Sequence, residues 1–196
     1  MIKKLTIPVD HGNRNMKTTH FLFTTGLSST DRKPAGREDF LQTDGKFYVL
    51  SDKRIPYQRD KTQDERFSIL TRFAIAKELE RTGQVTEEDV VQVSLPIGVP
   101  PKHYAELAER YREYFLGDGK MQDLVYNGKT YHICIQDVAV YPQAYAAMMT
   151  EGEKIRQIPK AVGIDIGGFT SDFLLMRSGS PCLDYCDSME KGVITM

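Results

Sequence analysis

The stretch VGIDIGGFTSDFLLM, residues 162–176, places an apolar strand before an acid, Asp165, and two adjacent glycines, Gly167 and Gly168. A carboxylate is costly to bury unless something compensates it. Adjacent glycines in a strand pattern mark a tight turn or a close backbone approach. An ordinary β-turn accounts for the glycines. It leaves the acid beside them unexplained.

The start of the chain offers a parallel. LTIPVDHGNRNMK, residues 5–17, is again an apolar strand with Asp-x-Gly at its end and a polar turn feeding another strand. Asp10 and Asp165 hold the same place in two units. Repetition at this distance points to a duplicated fold unit.

Between the two openings the pattern is mixed. Strands are expected at 2–9, 18–25, 45–51 and 90–98, with a polar loop over 26–40. Phe67, Leu70, Thr71, Ala74, Ile75 and Leu79 recur at helical steps within 62–82, with Thr62 and Glu65 spaced as a capping box and Gly83 as a stop. A second helix is expected over 102–116, with Tyr104, Leu107, Ala108, Tyr111 and Phe115 on one face. Asn127-Gly128 signals a hairpin. Pro142 is placed to open a short helix. Beyond the break at Ile158-Pro159, strands are expected at 160–165, 169–176 and near 182–187. The fold class is α/β.

Composition narrows the function. The 196 residues are 40% hydrophobic and 27% charged, with net charge -1. That is a globular composition without the basic surface that direct nucleic-acid binding needs. No run approaches the length of a membrane span, and MIKKLTIPVDHGNRN, with no long apolar stretch after its lysines, is not expected to act as a signal peptide. Cys134, Cys182 and Cys186 read as free thiols, because their spacing and setting suit neither a disulfide framework nor a metal site.

Glycine turns let backbone N–H groups approach an anion closely. Two facing turns would grip a polyphosphate from both sides. No G-x-x-x-x-G-K-[ST] occurs, so this is not a P-loop. An acid at each strand mouth repels phosphate unless a divalent cation lies between, so Asp10 and Asp165 imply Mg²⁺. Lys17 either returns a positive charge to the phosphates or is a solvated strand-end lysine. His11 alternates away from Asp10 and reads as local packing. His20, His103 and His132 do not cluster.

DHGNRNMK resembles the first phosphate loop of the actin superfamily, and DIGGFTSD the second. VAVYPQAYAA resembles the connection between the two domains. KFYVLSDKRIPYQRDKT, FSILTRFAIAKEL and MEKGVITM resemble the bacterial ParM/StbA plasmid-segregation group. The resemblance implies a ribonuclease-H-like actin fold. Residues 1–157 would be a complete first actin-like domain, and 158–196 the start of a second that is only begun. It implies that the backbones of Gly12 and Asn13 meet phosphate with Lys17 in support, opposite Gly167, Gly168 and Thr170. Asp10 and Asp165 would hold Mg²⁺ through water. Gln143 and Asp165 would be catalytic, orienting the attacking water, and Asp172 would brace the turn. ATP is the implied nucleotide, with GTP left open.

The expected function is a Mg-ATP-dependent, filament-forming ATPase of plasmid DNA segregation in the bacterial cytoplasm. Its partners would be further copies of itself and a DNA-bound adaptor protein. Neither direct nucleic-acid contact nor a membrane is expected. A small-molecule kinase of the same superfold, and a truncated, non-enzymatic filament-capping relative, are the alternatives. Family members continue well past position 196, so the chain is expected to be incomplete and to leave apolar strand faces uncovered.

Overall fold

A computed structural model describes residues 1–36 and 39–194. Arg37 and Glu38 of the expected loop, and Thr195 and Met196 of MEKGVITM, lie outside the described residues. In chain order the elements are β1 (Ile2–Thr6), β2 (Asp10–His11), β3 (Asn15–Lys17), β4 (Leu22–Thr24), β5 (Leu27–Thr30), β6 (Phe40–Thr43) and β7 (Lys46–Leu50). Then come α1 (Arg66–Thr82), β8 (Val90–Val99), a 3₁₀ turn (Pro101–His103), α2 (Tyr104–Leu116), β9 (Gln122–Tyr126) and β10 (Lys129–Pro142). The last are α3 (Tyr145–Met149), α4 (Gly152–Gln157), β11 (Lys160–Ile166), β12 (Ser171–Arg177), β13 (Ser180–Pro181), a 3₁₀ turn (Leu183–Tyr185) and β14 (Asp187–Met189).

The chain divides into two compact units, one of residues 1–96 and 112–139, the other of 97–111 and 140–196. In the first, strands run in the order β1-β8-β10-β9-β6-β7-β5. β1 lies parallel to β8, Ile2 opposite Val90 and Thr6 opposite Ser94. The chain stays beside β8 past the end of β1, because Ile7 and Val9 donate their N–H groups to Ser94 and Pro96. That extension delivers Asp10 to the hairpin sheet β2-β3-β4. The core side of β8 carries fully buried Val91, Val93 and Leu95. α1 is buried nearly all round: the periodic residues are inside, and so are Ile69, Phe73 and Ala76. Phe73 meets Tyr126 of β9 edge-on, with ring centroids 6.2 Å apart.

In the second unit β12 is central. β11 pairs antiparallel along one side of it, and β13 and β14 pair along the other. Ile155, Leu174 and Met176 form a small core with Met148, Met149 and Ala161. Gly163 packs against the Met148 side chain, whose sulfur would lie 2.5 Å from an added Cβ. The opposite face of β11 is open, with Val162, Ile164 and Ile166 at 60%, 59% and 57% exposure.

Four sequence expectations are corrected. The loop over 26–40 contains β5, a polar LSST segment made a strand by its pairing with β7. The capping box does not form. Thr62 instead donates its hydroxyl to Asp60, and Asp64 caps the Arg66 N–H at 2.9 Å. Pro142 ends a strand and opens no helix, because the Gln143 N–H bonds to Val99 at 2.8 Å and prolongs the ladder. The strand expected near 182–187 is a 3₁₀ turn followed by β14. The hairpin at 127–128 is present, with both residues at positive φ as a type I′ turn requires. Among the described residues no helix is long and apolar enough to cross a membrane.

Candidate functional site

The first Asp-x-Gly motif is a hairpin in which Asp10 pairs with Lys17 and His11 with Met16. Lys17 Nζ donates to Asp10 Oδ2 at 2.9 Å, with both side chains about half exposed. The spacing of seven thus becomes a cross-strand acid–base contact. Gly12 sits where a Cβ would come within 2.5 Å of the Asn15 carbonyl oxygen, so the turn closes only with glycine there.

Three contacts pin this hairpin. The Gly12 carbonyl accepts from the Thr25 hydroxyl at 2.6 Å. Asn13 Nδ2 donates to the Gln58 carbonyl at 3.0 Å, and the Gln58 N–H returns a bond to Asn13 Oδ1 at 2.9 Å. His11 is fully buried, stacked on Phe115 with centroids 4.4 Å apart. Its Nε2 lies 2.7 Å from Thr71 Oγ1. The Thr71 proton is already committed to the Phe67 carbonyl, so Nε2 is the donor. Burial first, and the charge of Lys61 second, push the His11 pKa well below the usual histidine range. His11 is therefore a neutral wedge between the hairpin and α1.

The second motif lies in the other unit. Asp165 faces Asp172, and Ile166 faces Ser171. The Gly167 N–H donates to the Thr170 carbonyl at 2.8 Å and closes a two-residue loop of Gly168 and Phe169. Neither Gly167 nor Gly168 has a left-handed φ. The inner face of β11 and β12 therefore runs from apolar Ala161, Leu174 and Met176 to Asp172 and finally to exposed Asp165. The acid stands where the apolar core ends, and that removes the burial cost. Thr170 Oγ1 reaches Asp172 Oδ2 only at 3.5 Å. Gln143 lies between β10 and α3 and packs by Gly98, where a Cβ would come 3.2 Å from its Cγ. Ala144 follows with φ of 68°, a left-handed kink for which the sequence carried no glycine signal.

The chemistry of the two turns fits an anion and a hydrated cation. Each offers glycine backbone next to a carboxylate that water can reach. Among the described residues no group of three or more His, Cys, Asp or Glu side chains gathers as a direct metal cage. The three cysteines are free thiols. His20 and His132 are paired with Glu78 and Asp123.

The profile of the family described as actin like proteins N terminal domain matches residues 8–145. The chain belongs to that family of actin-like proteins. Its fold is similar to that of the apo psk41 ParM protein, with a TM-score of 0.75 at 15% identity, covering 98% of this chain and 68% of that one. The AlfA filament bound to AMPPNP gives a TM-score of 0.73 at 15% identity, covering 98% and 72%. The archaeal actin homologue Ta0583 gives 0.74 at 18%, covering 96% and 62%. The chain thus spans about two thirds of the length of these structures. No curated protein matches it.

Proposed function

We propose that this protein is an actin-like, Mg-ATP-dependent ATPase that assembles into filaments and serves plasmid DNA segregation. The observation that carries the reading is the pair of Asp-x-Gly hairpins, one in each unit, the first fixed by His11, Asn13 and Gly12. Preorganised turns suit phosphoryl transfer, where positioning and electrostatics dominate. Gly12 and Asn13 would meet phosphate with Lys17 beside them, and Gly167, Gly168 and Thr170 would form the second turn. The Gly167 N–H is committed to the turn itself, so its part is to shape the loop. Asp10 and Asp165 would hold Mg²⁺ through water, and Gln143 and Asp165 would orient the attacking water. The bound cation would supply charge neutralisation at the phosphates. Residues 1–157 are assigned to a first actin-like domain and 158–196 to a second. A DNA-bound adaptor, self-association and a bacterial cytoplasmic setting complete the reading.

Asp165→Ala tests it. Nucleotide binding should persist, while hydrolysis loses about 2–4 kcal/mol of transition-state stabilisation. Binding and phosphate release are measured side by side on the wild type and the variant. Release at the wild-type rate by the variant rejects the assignment of Asp165.

A further inference from the structure

The segment Lys191–Ile194 runs along the back of the second turn. The Val193 N–H donates to the Gly167 carbonyl at 3.1 Å, and the Ile194 N–H to the Gly168 carbonyl at 2.9 Å. Ser171 Oγ donates to the Lys191 carbonyl at 2.7 Å and ties the segment to the base of the turn. Gly192 makes the closest approach. An added Cβ there would lie 2.5 Å from Gly168 C, 2.5 Å from Phe169 N and 2.6 Å from Gly167 O. All three are backbone atoms that no side-chain rotation can move aside. The φ of Gly192 is not left-handed, so glycine is needed for contact and not for backbone freedom.

In a trans peptide the C=O and N–H groups point in opposite directions. The described residues contain no cis peptide bond. With the Gly167 and Gly168 carbonyls held toward Val193 and Ile194, the N–H groups of Gly168 and Phe169 point away from that segment. Two consecutive N–H groups on one side of a turn make an anion-binding concavity.

We infer that Gly192 is a positioning residue: its contact with the Gly168–Phe169 peptide, and the two bonds beside it, set which way the second turn presents its N–H groups. The orientation of the turn stands on the contacts alone. Its service to phosphate rests on the proposed function.

Gly192→Ala separates the two. The amide resonances of Gly168 and Phe169 are followed by NMR without nucleotide, and Mg-ATP affinity is measured by calorimetry. The variant should shift both amides while leaving those of Leu174 and Met176 in place, and should weaken Mg-ATP binding roughly tenfold or more. Unmoved Gly168 and Phe169 amides overturn the inference. Moved amides with undiminished affinity overturn its link to phosphate. Should the wild type itself bind no Mg-ATP while the amides move, the proposed function falls and the orienting role of Gly192 stands. Ser171→Ala removes only the hydroxyl that holds Lys191 and covers the case in which Gly192→Ala does not fold. It should move the same two amides to a smaller extent, and an unchanged spectrum counts against the inference.

Discussion

Asn13 gives the Gln58 backbone both an acceptor and a donor, as a neighbouring strand would. Gln58 Nε2 then donates to Asp64 at 2.8 Å, and Arg66 meets the same carboxylate through two nitrogens at 2.9 and 2.6 Å. The Arg66 bonds, more than any other group, hold the Asp64 carboxyl far below the usual carboxylate range. The first turn is thereby wired to the start of α1. The sequence shows Asp10, Gly12 and Lys17 because their spacing is local. It hides Gln58 and Thr71, whose contacts with the turn span 45 and 60 positions. Gly192 is hidden for the same reason. A glycine among MEKGV carries no mark of what it touches. Glu78 is a similar long-range clamp, accepting from the Thr18 hydroxyl at 2.6 Å, the His20 N–H at 2.9 Å and His20 Nδ1 at 2.8 Å. Burial alone would raise its pKa, but these bonds outweigh burial and hold it below the ordinary value of 4.5. Its stabilising effect is full above that value and is lost as pH falls through the lower, folded one. Glu78→Gln should cost about 1 kcal/mol near neutral pH. The gap between variant and wild type should close in acid, as read by urea unfolding at several pH values. A gap that widens in acid contradicts this sign.

At the scale of elements, long periodic segments were legible and junctions were not. α1 and α2 follow from apolar residues recurring at helical steps, and the turn at 127–128 from its Asn-Gly pair. β5 has no strand signal of its own; its pairing with β7, from Leu27 opposite Leu50 to Thr30 opposite Phe47, decides the segment more than propensity does. The corner before it depends on Gly26. An added Cβ there would collide with the Ser51 and Lys53 carbonyl oxygens. The same corner donates the Gly26 N–H to Thr24 at 2.8 Å and accepts from the Ser51 N–H at 3.1 Å. Gly26→Ala should therefore destabilise by roughly 2–3 kcal/mol, at the upper end for overpacking. Thermal unfolding checks it, and an unshifted midpoint would show that the corner can open at no cost.

At the scale of the molecule, the α/β class and the duplicated opening were legible because each rests on a whole pattern and not on one residue. Each of the two compact units is assembled from two separate stretches of chain, a feature no local pattern marks. The parallel pairing of β1 with β8 bears on the order of events in folding. β1 is synthesised well before its partner, which begins only at Val90. Closing so long a loop costs entropy before any contact rewards it, so pairings of this kind form late. Ile7→Ala, at a residue 5% exposed beside Ser94, should accordingly speed unfolding much more than it slows refolding. Stopped-flow measurements of both limbs decide this, and an equal effect on the two would place β1 in the folding nucleus. On the ribosome, β1 and the extension that carries Asp10 would wait unpaired while α1 is made behind them.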